Sequence, residues 1–168
     1  MKNIWVVRAG SDNEAIEAFQ AHGVVAYGGP KMGDLRLLSD RNAILARIQE
    51  VYPSSLGAMR NWVGQHWRIS RDIQVGDLVL TPVQATREVL IGEVLGDYDF
   101  RPDLIPSYPH VRKVQWKNKV SRLAFPDATR NAMGSTLSIF SLNPHREVIL
   151  AVLGVYQLIV SVRPIWAA

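Results

Sequence analysis

The chain has 168 residues, of which 48% are hydrophobic and none is cysteine, a size that fits one compact domain with its own core. The lack of cysteine excludes a disulfide framework and thiolate chemistry. The net charge of +4 permits an anionic partner without requiring one. The amino terminus has too short an apolar run for a signal peptide, so we expect a cytoplasmic protein.

The first half of the chain begins with a strand, a helix and a second strand. Residues 3–8 and 24–27 have the β-branched and aromatic content of strands. Between them, Ser11 and Glu14 have the spacing of a capping box, which predicts that a helix opens there. Gly23 stands where that helix is expected to end.

Two further helices are predicted before the middle of the chain. Ser39 or Asp40 caps the first of them, and its apolar stripe stops at Pro53. The second runs from about residue 60 into the seventies and carries two rows of large side chains, Trp62 with His66 and Val63 with Trp67. Rings at this spacing are typical of a core, although the flanking arginines also favour a cleft that accepts a ring and an anion.

The second half of the chain predicts four more strands and one helical turn. The strands are expected at 78–80, 89–95, 111–116 and 137–142, and the turn at 127–132. Gly92 inside the second of these strands indicates a bulge or a close backbone approach. Three prolines within 97–109 predict an irregular loop that displays Tyr98, Phe100 and Tyr108. Six strands and three or four helices together predict an α+β fold with a small, curved or barrel-like mixed sheet.

Basic side chains concentrate near the fifth predicted strand, because residues 111–124 contain five lysines and arginines and no acid. Such a run predicts a basic edge, or simply a solvated face. The residues predicted to contact phosphate are Arg60, Arg112, Lys113, Lys117 and Lys119.

The carboxy-terminal segment is almost wholly apolar from 148 to 162. It is shorter than the roughly 20 residues that a membrane-spanning helix needs, so no membrane role is expected. We therefore divide the chain into a domain over 1–145 and an apolar segment over 146–168 that packs on the core or docks a partner, for example a second copy of the chain.

Catalytic signatures are missing from the sequence: it has no phosphate loop, no zinc-protease motif and no nucleophile elbow. The four histidines are scattered singly and are expected to be surface or packing residues. No metal or cofactor is predicted. An enzyme that uses Glu93 or Asp77 as a base remains an alternative, but no assembled constellation supports it. Non-catalytic binding of a ligand is the remaining function. A pocket that binds a flipped base needs aromatic walls, an amide and nearby cations, and the sequence contains these residue types.

Six segments in order resemble one known family. They are IWVVRAG, GVVAYG, RNWVGQHWRI leading into GDLVLT, IGEVLGDYDF, YPHVRKVQW and TRNAMGSTLSIF. The chain resembles the EVE-like, PUA-superfamily amino-terminal domain of Mrr-type restriction proteins, and is more distantly similar to YTH domains. The resemblance implies a PUA-like curved sheet or pseudo-barrel with helices packed around it, and a pocket that takes up a base, often a modified one.

The resemblance also assigns pocket residues. The loop after the first strand, the start of the ring-bearing helix and the later aromatic loop border the pocket in relatives. The residues implied are Arg8, Ala9, Gly10, Asn61, Trp62, Tyr98 and Tyr108. Where many relatives have a tryptophan after the second strand, this chain has Gly28-Gly29-Pro30, so that wall of the pocket is either missing or supplied by Tyr27.

These observations predict a non-catalytic nucleic-acid reader that holds a flipped, modified base and is linked to restriction or defence. DNA is favoured over RNA as the partner, and the further partner expected is either a nuclease effector or a second copy of the chain. The alternative is a protein-interaction module whose apolar carboxy-terminal segment mediates dimerisation or docking.

Overall fold

A computed structural model describes residues 1–161, with side chains through Val155. The strands are β1 (Ile4–Val7), β2 (Val24–Tyr27), β3 (Leu78–Val83), β4 (Glu88–Phe100), β5 (His110–Ser121) and β6 (Ile139–Ser141). The α-helices are α1 (Ile16–His22), α2 (Arg41–Val51), α3 (Leu56–Trp67), α4 (Asp127–Met133) and α5 (Arg146–Ser161). The α+β class predicted from the sequence is therefore confirmed.

All six strands form one open, mixed sheet in the order β2-β5-β4-β3-β1-β6. Only the pairing of β1 with β3 is parallel, and the other four pairings are antiparallel. In the described part of the chain the sheet does not close into a barrel, and β2 and β6 are its edge strands.

Each face of the sheet has its own hydrophobic core. In β1, Trp5 and Val7 point into the first core, whereas Ile4 and Val6 point into the second, as the two-residue period of a strand requires. Helices α1, α2 and α3 cover the first core, and α4 and α5 cover the second. The continuous apolarity of β1 thus reflects burial on both faces.

Helix ends that depend on local chemistry agree with the sequence in two places and differ in two. Gly23 ends α1 in the left-handed conformation (φ 61°), and the Asp40 carboxylate caps α2 by accepting the Ala43 N–H at 2.7 Å. The predicted capping box of α1 is wrong: the helix begins only at Ile16, and its N-cap makes no side-chain hydrogen bond. Helix α3 begins four residues before the predicted position, where Ser55 caps it.

The predicted loop at 97–109 is partly strand. β4 extends to Phe100 because Tyr98, Asp99 and Phe100 pair with the first residues of β5. The role predicted for Gly92 is confirmed, since the β4–β5 register shifts between Ile91 and Gly92. A Cβ at Gly92 would lie 2.8 Å from the Trp116 ring. The ring can therefore lie against β4 at this point only because residue 92 has no side chain.

The apolar carboxy-terminal segment begins as a helix that packs on the sheet. Ile149 and Leu153 of α5 are buried in the second core, while Val148, Leu150 and Val155 remain partly exposed. Residues 162–168 of the predicted segment lie outside the described residues, and docking through it stays a prediction. Within the described chain, no helix is long and apolar enough to cross a membrane.

Candidate functional site

A cavity of about 370 Å³ opens on the first core, beside the ends of β1 and β2. The loop after β1, the end of β2 with the Gly28-Gly29-Pro30 turn, one face of α2 and one face of α3 surround it. The side chains that define its chemistry are Arg8, Ser11, Tyr27, Ile48, Tyr52, Trp62, His66, Tyr108 and Ser138.

Aromatic rings form most of the cavity wall. Trp62 and His66 lie one turn apart on α3, and Tyr27 meets His66 edge-on with 4.8 Å between ring centroids. The Tyr52 hydroxyl accepts the Lys31 N–H at 3.0 Å, and the Lys31 ammonium lies 5.6 Å from the centroid of the same ring. These contacts hold the Tyr52 ring in place before any ligand binds.

His66 is a neutral residue in this wall. Its Nδ1 lies 2.8 Å from the Trp62 carbonyl oxygen, which can only accept, so Nδ1 carries the proton. Burial lowers the pKa of His66 to about 4, and repulsion from His110, once acid has protonated that ring, is a smaller cause. Nε2 has no hydrogen-bond partner among the described residues. A Cβ at Gly29 would lie 2.7 Å from it, so the turn passes directly over the imidazole.

A second histidine fixes that turn from behind. His110 Nε2 donates to the Gly29 carbonyl at 2.9 Å, which leaves Nδ1 to accept from the Tyr98 hydroxyl at 2.8 Å. That hydroxyl in turn accepts the Leu35 N–H at 3.1 Å. Burial lowers the pKa of His110 to about 4, so this chain of hydrogen bonds contains only neutral side chains at neutral pH.

Tyr108 closes one side of the cavity. Its hydroxyl donates to the Glu14 carboxylate, and this bond is the main reason that the pKa of Glu14 is lowered. The carboxylate sits where a Cβ of residue 10 would be, so only glycine fits at Gly10, whose φ is 83°. Glu14, predicted as a helix cap, therefore positions a ring of the cavity instead.

Five of the predicted base-pocket residues line the cavity: Arg8, Gly10, Tyr27, Trp62 and Tyr108. Ala9 is fully buried in the first core and does not line the cavity.

Two further predicted pocket residues, besides Ala9, do not line the cavity. Asn61 is exposed in the middle of α3, not at its start, since the helix begins earlier than predicted. Tyr98 is buried in β4 behind His110, because this part of the predicted loop pairs as strand. It supports the turn through His110 without facing the cavity.

Sequence reasoning missed His66, Tyr52 and the two serines of the cavity. A signal existed for the first two, since His66 is one turn after Trp62 and Tyr52 follows Ile48 by one turn of α2. Ser11 was predicted only as a helix cap and Ser138 had no predicted role, because only the pairing of β1 with β6 brings their segments together.

The prediction of Arg112 as a phosphate contact is corrected by the structure. Arg112 is only 2% exposed, and its guanidinium donates to the carbonyls of Gly96 (3.0 Å), Ile69 (3.3 Å) and Ile73. It holds the turn after α3 against β4 and cannot reach a phosphate in solvent.

The other predicted phosphate residues are at the surface but do not gather at the cavity. Arg60, Lys113 and Lys119 are exposed, and none of them lines it. Lys117 pairs with Glu93 at 2.6 Å.

The two carboxylates considered as catalytic bases have structural partners. Asp77 is buried and accepts from the Trp5 indole at 3.0 Å and from the backbone N–H groups of Asn3 and Gln74. Glu93 pairs with Lys117 and Lys2, and the Lys117 ammonium is the main cause of its lowered pKa. Neither carboxylate lines the aromatic cavity.

Comparison with known proteins places the chain in a family. No curated protein and no solved structure matches the chain significantly. A family model does match, over residues 5–143, and thus runs from Trp5 in β1 to beyond β6 and includes every residue of the cavity. The chain therefore belongs to the family described as Domain of unknown function (DUF8426).

Proposed function

We propose that this chain is a PUA-like, non-catalytic nucleic-acid reader of the cytoplasm that holds an extruded, modified base in the aromatic cavity and serves a restriction or defence system. DNA is the favoured partner. The observation that carries the proposal is the cavity itself, in which Trp62, Tyr27, Tyr52 and Tyr108 surround a space of about 370 Å³.

The size and lining of the cavity suit a single flat ring. Binding sites for small ligands have volumes of roughly 300–1,000 Å³ and apolar walls with a few polar groups, and this cavity is near the lower limit. Aromatic side chains stack on any nucleobase because every base has a π-face.

The polar groups of the cavity suit a neutral base joined to an anionic backbone. Ser11, Ser138 and Tyr27 supply hydroxyls, which can donate to or accept from a base edge. Arg8 is the one cation among the lining residues, and no carboxylate is among them. A neutral His66 adds no charge that would favour an anion inside the cavity.

The finer fold assignment rests on where the cavity lies. The resemblance to PUA-superfamily domains assigns the pocket to the loop after the first strand and to the ring-bearing helix. Arg8 and Gly10 lie on that loop, and Trp62 lies on that helix, at the same cavity.

Replacing Trp62 with alanine tests the proposal. Base–aromatic stacking contributes about 1–3 kcal/mol per base, which corresponds to roughly 5- to 150-fold in affinity. We expect Trp62→Ala to lose that much affinity for its preferred base and to keep the salt-sensitive part of binding. The measurement is a fluorescence-anisotropy titration with single-stranded DNA oligonucleotides that differ only in one plain or modified base.

Trp67→Ala is the matched control. Trp67 is on the same helix and is likewise half-buried, but it does not line the cavity. The guanidinium carbons of Arg41 and Arg71 lie 5.0 and 5.1 Å from the centroid of its ring. This variant should keep the base preference of the parent. A Trp62→Ala protein that discriminates between bases as well as the parent would refute the cavity as the reading site.

A further inference from the structure

A second surface groove, of about 620 Å³, lies beside the aromatic cavity. The turn between β3 and β4, the end of β5, α4 and the loop after β1 form its walls. Four arginines line it, Arg8, Arg87, Arg122 and Arg130, against one carboxylate, Glu88. The predicted phosphate residues are all absent from its lining.

The guanidinium groups of the groove are placed by the fold and only partly neutralised. Arg122 donates from Nη2 to the Arg130 carbonyl at 3.2 Å, and Arg8 donates from Nη1 to the Ser135 carbonyl at 2.8 Å. Arg130 pairs with Asp127. The Arg87 side chain makes no hydrogen bond or ion pair with any described residue. Arg8, Arg87 and Arg122 thus keep donors for an anion.

Arg87 occupies a backbone conformation that favours glycine. Its φ is 53°, in the left-handed region, at the end of the turn that joins β3 to β4. A non-glycine residue there costs of order 1 kcal/mol. The turn thus presents an exposed, unpaired guanidinium at a position where glycine would be the less strained residue.

Arg8 connects this groove to the cavity. It is the one residue that lines both. Its backbone N–H donates to the Ser138 carbonyl at 2.8 Å, and Ser138 lines the cavity, whereas its side chain reaches Ser135 next to Gly134 of the groove. A strand whose base enters the cavity would therefore leave it past Arg8 and reach the groove.

From this geometry we propose that the groove formed by Arg8, Arg87 and Arg122 binds the phosphates of the same single strand whose base occupies the aromatic cavity. The inference rests on the proposed function for the identity of the ligand. Base stacking selects the nucleotide in the cavity, and the groove supplies the sequence-independent, salt-dependent part of the affinity.

Salt dependence separates this groove from the basic strand that the sequence suggests. Each phosphate contact on a single strand contributes about −0.7 to the slope of log affinity against log salt concentration. We expect Arg87→Gly and Arg122→Gln each to make the slope shallower by about 0.7, measured by anisotropy with one single-stranded DNA oligonucleotide between low and moderate salt. Arg87→Gly removes the charge and relieves the strained φ, so it is expected to fold at least as well as the parent.

Lys113→Gln is the matched control, because it removes one exposed charge from the other end of β5. The proposal predicts that its slope equals that of the parent. A shallower slope in Lys113→Gln together with an unchanged slope in Arg87→Gly would overturn it.

Two further measurements separate the groove from the cavity. An oligonucleotide that lacks the base expected to enter the cavity should show the same difference in salt slope between Arg87→Gly and the parent. Inorganic phosphate at matched ionic strength should not displace the strand, and displacement would mark a site for free phosphate instead.

The two proposals fail separately. Loss of base preference in Trp62→Ala with no slope change in Arg87→Gly refutes the groove and leaves the reader. A slope change in Arg87→Gly with no effect of Trp62→Ala keeps the groove as a phosphate site and refutes base reading in the cavity.

Discussion

Replacing Arg112 with methionine is expected to lower the free energy of unfolding by about 3–5 kcal/mol, since each buried polar group left without a partner costs about 1–3 kcal/mol. The guanidinium donates to three carbonyls, of Gly96, Ile69 and Ile73, and methionine replaces none of these bonds. Chemical denaturation followed by circular dichroism would measure the loss.

Lys113→Met is the control for this prediction, because Lys113 is the next residue of β5 and is exposed. Its free energy of unfolding should stay within about 0.5 kcal/mol of the parent. An Arg112→Met protein that keeps its stability but binds nucleic acid more weakly would contradict the structural role and restore the phosphate contact predicted from the sequence.

Acidification from pH 7 to pH 5 is expected to destabilise the protein through its two buried histidines. Burial lowers the folded-state pKa of His66 and of His110 to about 4, below the unfolded value of about 6.5. The unfolded chain therefore binds protons first as the pH falls. Stability is full above about pH 6.5 and is lost between that pH and about 4, by up to about 1.4 kcal/mol per pH unit for each histidine.

The groups that face His66 and His110 are consistent with a loss of stability on acidification. The hydroxyls of Tyr27 and Tyr98 stay neutral across this range because burial raises both pKa values, that of Tyr98 to about 12. The Asp34 carboxylate only weakly opposes the lowered pKa of His110. Urea midpoints at pH 7.5 and pH 5 measure the effect, and His66→Phe should lose about half of the pH dependence. An equal midpoint at both pH values would show that the histidines are not buried in the folded protein.

Local sequence signals predicted the elements whose ends are set by one or two residues. Asp40 and Gly23 fix helix ends by side-chain and backbone chemistry that neighbours in the sequence supply, and Gly92 marks a bulge for a reason visible in one residue. Glu14 has a local signal of the same kind, the spacing of a capping box, but a longer-range contact determines its position. Its bond to Tyr108, 94 residues away, holds it outside the helix.

The cations of the basic strand lie in different environments, and Arg112 is the clearest case. In β5, Arg112 and Val114 are buried, whereas Lys113 between them is exposed. A strand places alternate residues on opposite faces, so composition alone could not show that the five cations of this stretch belong to different environments.

The cavity was predictable in part and the groove was not. Trp62 and the loop after β1 follow from ring spacing and from the family resemblance. The groove joins Arg8, Arg87 and Arg122 from three distant segments, which only the sheet order β4-β3-β1 and the β4–β5 pairing bring together. No single stretch of sequence contains more than one member of that trio.

The second core extends beyond the region that the family model matches. The family match ends at Asn143, yet Ile149 and Leu153 of α5 complete the packing against Ile4, Val6 and Leu80. The matched region is therefore shorter than the set of elements that build this core. A chain cut at Asn143 would leave one face of the central strands open to water.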